Sequence, residues 1–277
     1  SSHLKKTLIP ILLSLIVAGL ACEFLARVFF AEHITLFPRY HTRADYGSFV
    51  LRKIRPNAVF WHESVDGRWK FVINAQGFRD ERDYPYAKTA GRLRVITLGD
   101  SHTQGYEVHQ QETYSAGLEN YLRHRKLDAE VFNMGISGFG TAEILAFLES
   151  EGLRYHPDVV VYGLSSNDFR DSIRAGLYKL QSGRLEVAKR EHAPFAGISE
   201  AYYALPPFRW LSEYSYAFSI TINTIANSLR RQSKRADEEQ AALEYAIPVG
   251  QMTGVEQELM RALVARMYEV CKANGIR

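Results

Sequence analysis

Apolar residues divide the chain into three regions with different patterns. Residues 8–30 are almost continuously apolar, whereas residues 31–92 are rich in aromatic residues and turn formers. From Leu93 onward, short apolar runs alternate with stretches whose apolar residues recur at helical spacing. These patterns predict an N-terminal helix (1–30), a region of loops and short strands (31–92) and a larger α/β domain (93–277).

The first region has the length and composition of a transmembrane helix. Its sequence, LIPILLSLIVAGLACEFLARVFF, is interrupted only by Glu23 and Arg27, and such a helix spans roughly 30 Å of hydrocarbon. Lys5 and Lys6 precede it, which favours an N-terminus in the cytoplasm. A cleaved signal peptide is the alternative, but no clean A-x-A site follows the apolar stretch. We predict a single-pass anchor in the cytoplasmic membrane, with the remainder of the chain outside the cytoplasm and residues 31–92 next to the membrane.

Strands and helices alternate in the third region. The pattern predicts strands at Leu93–Leu98, Ala129–Met134 and Asp158–Leu164, and helices at Glu112–His124 and Thr141–Glu151, with Thr141 as the N-cap. The third strand is a continuous apolar run, which is typical of parallel strands buried on both faces. The alternation therefore predicts a doubly wound α/β domain with helices on both sides of a parallel sheet.

This alternation is interrupted between residues 171 and 250. We interpret this stretch as a helical insertion over one end of the sheet, with a long helix near residues 214–231. Its aromatic segment, residues 202–218, is expected to form the core of a lid, although aromatic side chains could also line a glycan site. The alternation resumes with a helix from Thr253 to Asn274-Gly275, and Ile276 is expected to begin a fourth strand.

Net charge and cysteine content limit the partners and cofactors that the chain is expected to have. The formal net charge is only +3, and the basic cluster near Arg230 is followed at once by acidic residues, so we expect no nucleic-acid partner. Cys22 and Cys271 are poor candidates to pair, and no Cys/His spacing resembles a zinc site. We therefore expect neither a disulfide framework nor a metal or other cofactor.

Candidate chemistry follows each of the three predicted strands. Ser101 comes after the first strand in Gly-Asp-Ser-His-Thr, Gly138 lies in a glycine-rich loop after the second, and Asn167 follows the third. The carboxyl ends of parallel strands meet at one edge of a sheet, so these residues are expected to converge. A hydroxyl nucleophile with backbone and amide donors for an oxyanion is the set that acyl transfer needs.

The three motifs together resemble the SGNH, or GDSL-type, hydrolase family of esterases, lipases and carbohydrate acyl-esterases. Gly99-Asp-Ser101, Asn133–Gly138 and Ser165-Ser-Asn-Asp168 match its first three blocks, with His102 and Ser165 replacing the usual leucine and glycine. The resemblance implies a three-layer, flavodoxin-like fold. It also implies that Ser101 is the nucleophile, and that an oxyanion hole is formed by the Ser101 and Gly138 backbone N–H groups and the Asn167 side chain. Asp100 and Asp168 are expected to hold the loops in place.

The fourth block of the family, Asp-x-x-His, has no match in the sequence. The histidines at positions 102, 109, 124, 156 and 192 do not match it. We therefore expect the family's general base to lie beyond Arg277, and the 277-residue form to be nearly inactive on simple esters. The stretch Asn74–Asp80 resembles envelope-anchored members of the family.

The resemblance implies a hydrolase that cleaves acyl esters, of the O-acyl or O-acetyl kind, on a glycan or lipid of the cell envelope. An O-acyltransferase acting on a cell-surface polysaccharide would use the same serine. A non-catalytic binding or assembly protein would keep the fold without the dyad. The sequence leaves the oligomeric state and the acyl chain open.

Overall fold

The computed structural model describes residues 2–30, 36, 41–194, 196–197, 200, 204–222, 224–225 and 254–277. These residues fall into two compact units. The first contains the described parts of Ser1–Pro38, Trp61–Trp69 and Tyr202–Leu243, and the second those of Arg39–Phe60, Lys70–Ala201 and Glu244–Arg277. The three-part division of the chain stays a prediction.

Helix α1 (Ser2–Phe30) dominates the first unit. Its segment Leu8–Phe30 has a mean hydropathy of 2.4 and is long and apolar enough to cross a membrane, although a signal sequence would have the same properties. Its apolar side chains are exposed within the structure, with Leu15 and Leu20 each about two-thirds accessible.

The described part of the insertion differs from the sequence expectation. Helix α6 (Pro206–Tyr214) ends where the long helix was predicted to begin, because Ser215 has an extended backbone. A second helical segment covers residues 216–222, and residues 226–231 lie outside the described part. Within the aromatic segment, Phe208, Trp210 and Tyr214 are exposed and helix α6 has no buried residue, whereas Tyr216 is buried.

A parallel sheet forms the centre of the second unit. Strands β5 (Leu93–Gly99), β6 (Ala129–Asn133) and β7 (Val159–Gly163) lie in the order β6-β5-β7, and all pairings are parallel. The backbone of Arg277 continues the pairing, because its N–H donates to the Asp158 carbonyl and its carbonyl accepts from the Val160 N–H. The predicted α/β class with a parallel sheet is confirmed.

Alternating side chains of β5 face different helices, as the two-residue period of a strand requires. Ile96 and Leu98 are buried in the main core, and the Thr97 hydroxyl lies 2.7 Å from that of Ser115 in helix α3. Strand β7, predicted to be fully buried, is only half-buried along its length. It lies at the edge of the described sheet beyond β5, so one side has less covering structure.

The helices around the sheet in the described part of the second unit are α2 (Ser101–Gln104), α3 (Tyr114–His124), α4 (Thr141–Ser150), α5 (Asp168–Ala175) and α7 (Gly254–Ala273). Helix α3 begins later than predicted, because Thr113 is its N-cap and a short 3₁₀ turn precedes it. Helix α4 is capped at Gly140, not at Thr141. Leu263, Met267 and Val270 of α7 are buried in the main core, as their spacing predicted.

Short antiparallel hairpins complete the described chain. Strands β1 (His41–Tyr46) and β2 (Phe49–Ile54) pair with each other, and the two-residue strand β10 (Glu191–His192) joins β2. Strands β3 (Val59–Ser64) and β4 (Gly67–Val72) form a hairpin around Asp66-Gly67. Strands β8 (Tyr178–Gln181) and β9 (Arg184–Val187) form another in the insertion. Cys22 and Cys271 are both free thiols.

Candidate active site

The loop after β5 presents Ser101 at the start of helix α2. The Asp100 carboxylate caps the helix by accepting from the His102 N–H at 2.9 Å. Gly99 leaves the strand with a φ of +159°, and a Cβ there would lie only 2.0 Å from the Thr103 hydroxyl. A small residue is therefore required at the point where the chain turns from strand to helix, and this turn places Ser101 at the carboxyl end of the strand.

The glycine-rich loop after β6 packs directly against the Ser101 loop. The Ile136 N–H donates to the Gly99 carbonyl at 3.0 Å, and the buried Asn133 amide donates to the Thr103 carbonyl at 2.9 Å. A Cβ on Gly135 would lie 2.3 Å from the Gln104 nitrogen. The glycine is needed here for close backbone approach, so the composition of this loop follows from packing.

Gly138 occupies a position that no other residue would adopt without strain. Its φ is +77°, and a Cβ would lie 1.8 Å from Nη2 of Arg52 in strand β2. Two residues further on, the Gly140 N–H donates to the Glu143 carboxylate at 3.0 Å, and His192 Nδ1 lies 2.9 Å from the same carboxylate. Side chains from β2, α4 and β10 thus surround the predicted oxyanion loop.

The loop after β7 is joined to the Ser101 loop through Asn167. The Asn167 amide donates one hydrogen to Asp100 at 2.9 Å and the other to Asp171 at 3.0 Å. An oxyanion could accept from this amide only if one of the two carboxylates released it. The structure therefore places Asn167 against the residue that precedes Ser101, and its role as an oxyanion donor stays a prediction.

His102 extends from the same turn as Ser101. Its Nδ1 lies 3.1 Å from the Asp100 carboxylate and 3.2 Å from the hydroxyl of Ser165, and its side chain is 75% exposed. Ser165 stands at the position where the resemblance predicts glycine, so this substitution supplies a hydroxyl partner for the ring. The contacts hold His102 beside Asp100.

The three predicted site residues have similar solvent accessibility. Ser101, Gly138 and Asn167 are each half-buried, whereas the polar residues that support them are almost fully buried. These supporting residues are Asp100, Thr103, Asn133, Glu143 and Asp168. Within the part of the chain that the structure describes, no three His, Cys, Asp or Glu side chains are grouped to hold a metal ion.

The sequence matches a family model described as the GDSL-like lipase/acylhydrolase family over residues 97–276. This match covers more than half of the chain and includes all three loops. The chain belongs to the GDSL-like lipase/acylhydrolase family.

Solved structures with similarity to this family member include SGNH-type esterases. The SGNH-hydrolase family esterase AlinE4 is 30% identical over 30% of this chain and 45% of its own length, with a TM-score of 0.26. TesA is 16% identical over 66% of this chain and 99% of its own, with a TM-score of 0.27. The psychrotrophic esterase EstA from Pseudoalteromonas sp. is 16% identical over 65% of this chain and 97% of its own length, with a TM-score of 0.25. The chain thus spans less than half of AlinE4. No curated protein gives a significant match.

The sequence analysis missed a buried residue that contacts the loop after Ser101 in this GDSL-like protein. Arg79 is fully buried, and its guanidinium donates to the carbonyls of Gly105 and Val108, directly after the Ser101 helix. Burial lowers the pKa of Arg79 to about 10. The motif Asn74–Asp80 was noted for its resemblance alone, and no local pattern showed that its arginine reaches residues 26 and 29 positions away.

Asp168 is the most perturbed carboxylate near the site. Burial raises its pKa to about 6, partly offset by bonds from the Ser165 N–H and the Tyr162 hydroxyl. The charges of Asp100 and Asp171 raise it further. Among the described residues, nothing donates to its second oxygen, Oδ1. Ionisation of Asp168 therefore costs free energy in the folded state.

Asp168→Asn is expected to be more stable, relative to the unmodified chain, at pH 7.5 than at pH 4. A raised folded-state pKa means that the native carboxyl binds its proton more tightly, so stability falls as pH rises from about 4 through 6. The amide lacks this titration and can still accept from Ser165 and Tyr162. A shift from 3.8 to about 6 corresponds to a change of up to ~3 kcal/mol. Thermal unfolding in detergent at both pH values measures the stability difference between the variant and the unmodified chain. A difference that does not change with pH would contradict the raised pKa of Asp168.

Proposed function

We propose that this GDSL-family protein is a serine hydrolase that cleaves acyl esters in the cell envelope. The observation that carries the proposal is the bond between the Asn167 amide and Asp100, at 2.9 Å, which joins the third motif to the residue preceding Ser101. The glycine-rich loop packs on the same turn through Gly135 and Ile136. These contacts between three separate loops support a shared site at one edge of the sheet.

The proposed reaction begins when the Ser101 hydroxyl attacks the acyl carbonyl. A base removes the hydroxyl proton as the bond forms, because a serine hydroxyl is a weak nucleophile near neutral pH. The Ser101 and Gly138 N–H groups and the Asn167 amide hold the oxyanion of the tetrahedral intermediate. The alcohol leaves with the proton, and water then cleaves the acyl-enzyme to release the carboxylic acid and restore Ser101.

The Asn167 amide would need to change partner during this reaction. Asp171 is the carboxylate that would release it, because Asp171 also pairs with the half-exposed Arg174 and so keeps a charged partner. Asp100 is fully buried and is held by the helix cap. The amide would thus keep its bond to Asp100 while its second hydrogen turns to the oxyanion.

The family supports the proposed ester substrate, and the N-terminal helix supports the proposed location. A helix with the length and hydropathy of Leu8–Phe30 would hold the protein at the cytoplasmic membrane, and the lysines before it favour an active site outside the cytoplasm. The proposed substrate is an O-acyl or O-acetyl ester of a glycan or lipid in that compartment.

A product assay tests this function. The longest natural form of the protein is incubated with an O-acetylated oligosaccharide, with and without an unacetylated sugar acceptor, and free acetate and acetylated acceptor are measured. We expect equal acetate release in both reactions and none with Ser101→Ala. Acetyl transfer to the acceptor would indicate an O-acyltransferase. Absence of both products, together with unmodified Ser101, would indicate a binding protein.

A further inference from the structure

Helix α6 carries an aromatic surface that nothing in the proposed reaction uses. This surface consists of Leu205, Phe208, Trp210 and Tyr214, which are 51%, 40%, 61% and 39% exposed. The rings of Trp210 and Tyr214, one helical turn apart, lie 5.9 Å from each other. Large apolar side chains grouped in this way mark a contact with a membrane or another molecule, whereas scattered ones do not.

Polar contacts join the end of helix α6 and the residues after it to the C-terminal third of helix α1. The Glu23 carboxylate accepts from the Ser215 hydroxyl at 2.7 Å and from the Tyr216 and Ala217 N–H groups at 3.1 Å. Arg27 donates to the Tyr214 carbonyl at 2.5 Å. The two charged residues that interrupt the apolar run therefore bind the end of α6 and the start of the next helical segment.

These contacts define a depth along the apolar helix. Glu23 comes 15 residues after Leu8, which is about 22 Å at the helical rise per residue. The hydrocarbon layer is roughly 30 Å thick, and α1 continues for about 10 Å to Phe30. Glu23 thus lies in the outer third of the hydrocarbon. Arg27, 19 residues after Leu8 or about 28 Å along the helix, lies at the outer boundary, where Trp and Tyr side chains concentrate in membrane proteins.

We propose that the aromatic surface of helix α6 lies in the outer interfacial layer of the membrane that α1 spans. The occupant is a phospholipid bilayer, because the surface is continuous with a helix of membrane-spanning length and is held at its boundary by Glu23 and Arg27. Trp210 and Tyr214 combine an apolar ring with a polar edge, which suits the headgroup region. The inference rests on the proposed anchor, since α6 reaches the bilayer through α1.

Tryptophan quenching by brominated lipids tests the contact. The full chain is reconstituted in phosphatidylcholine–phosphatidylglycerol vesicles, with or without bromine on the acyl chains, and compared with Trp210→Phe and with the control Trp61→Phe. Trp210 is one of three tryptophans, so we expect brominated lipid to remove about a third of the emission. This loss should persist in Trp61→Phe and disappear in Trp210→Phe. Flotation of the same vesicles reports whether α1 anchors each variant.

The outcomes distinguish the interfacial contact of α6 from the membrane anchor formed by α1. Flotation with Trp210-dependent quenching supports the interfacial contact. Flotation without such quenching overturns it and leaves the anchor intact. If emission then becomes protected from an aqueous quencher as protein concentration rises, a second copy of the chain covers the surface instead. Failure to float removes the anchor and, with it, the proposed contact.

Discussion

Replacing Ser101 with Ala is expected to lower turnover of a short-chain nitrophenyl ester by at least on the order of 10³-fold. The serine hydroxyl is the proposed nucleophile, and loss of a nucleophile removes the covalent route. Ser101 is half-buried and lies at the start of α2, directly after the buried cap residue Asp100. The measurement is kcat/KM for the longest natural form of the protein.

His102→Gln is the matched control, because it changes the neighbouring residue and keeps a side chain that can bond to Asp100. His102 is held beside Asp100 and Ser165, so we expect less than about a tenfold loss of kcat/KM from this change. A loss as large as that of Ser101→Ala would identify His102 as the general base. Robust activity in Ser101→Ala itself would exclude the proposed nucleophile.

Replacing Arg79 with Met is expected to lower kcat by about 10²-fold, because a nucleophile displaced by roughly 1 Å loses that much rate. Arg79 donates to the carbonyls of Gly105 and Val108 and lies 3.7 Å over the Phe71 ring. Met keeps the apolar contact with Phe71 but supplies no donor, so these carbonyls lose their charged partner. We also expect faster amide hydrogen exchange in residues 101–108 of the variant.

Arg92→Met controls for the loss of one positive charge. Arg92 pairs with Asp128 at 2.9 Å on an exposed part of the surface, and such pairs contribute little to stability. The Arg92→Met variant should keep the activity and the hydrogen-exchange rates of the unmodified protein. If Arg79→Met gave the same result, Arg79 would contribute to packing alone and not to the position of Ser101.

Periodicity along the chain was sufficient to predict the secondary elements around the site. Continuous apolar runs predicted the strands that became β5, β6 and β7, each within two residues of its ends. The helical stripe of α7 and its stop at Asn274-Gly275 were predicted in the same way. Local errors, such as the capping of α4 at Gly140, arose where a glycine backbone and a side chain three residues away shared the cap.

The sequence by itself determined the α/β class, the order of the three motifs and the apolar N-terminal helix, because each depends on residues that are close together along the chain. Tertiary structure alone decided how these parts support one another. The Arg79 bonds to the Ser101 loop, the pairing of Glu143 with His192 and the partners of the Asn167 amide join residues that are many positions apart. It also decided that the aromatic residues of α6 are exposed. Hydrophobic periodicity specifies which face of an element is buried, but the partner of a polar side chain depends on where the fold brings distant backbone segments together.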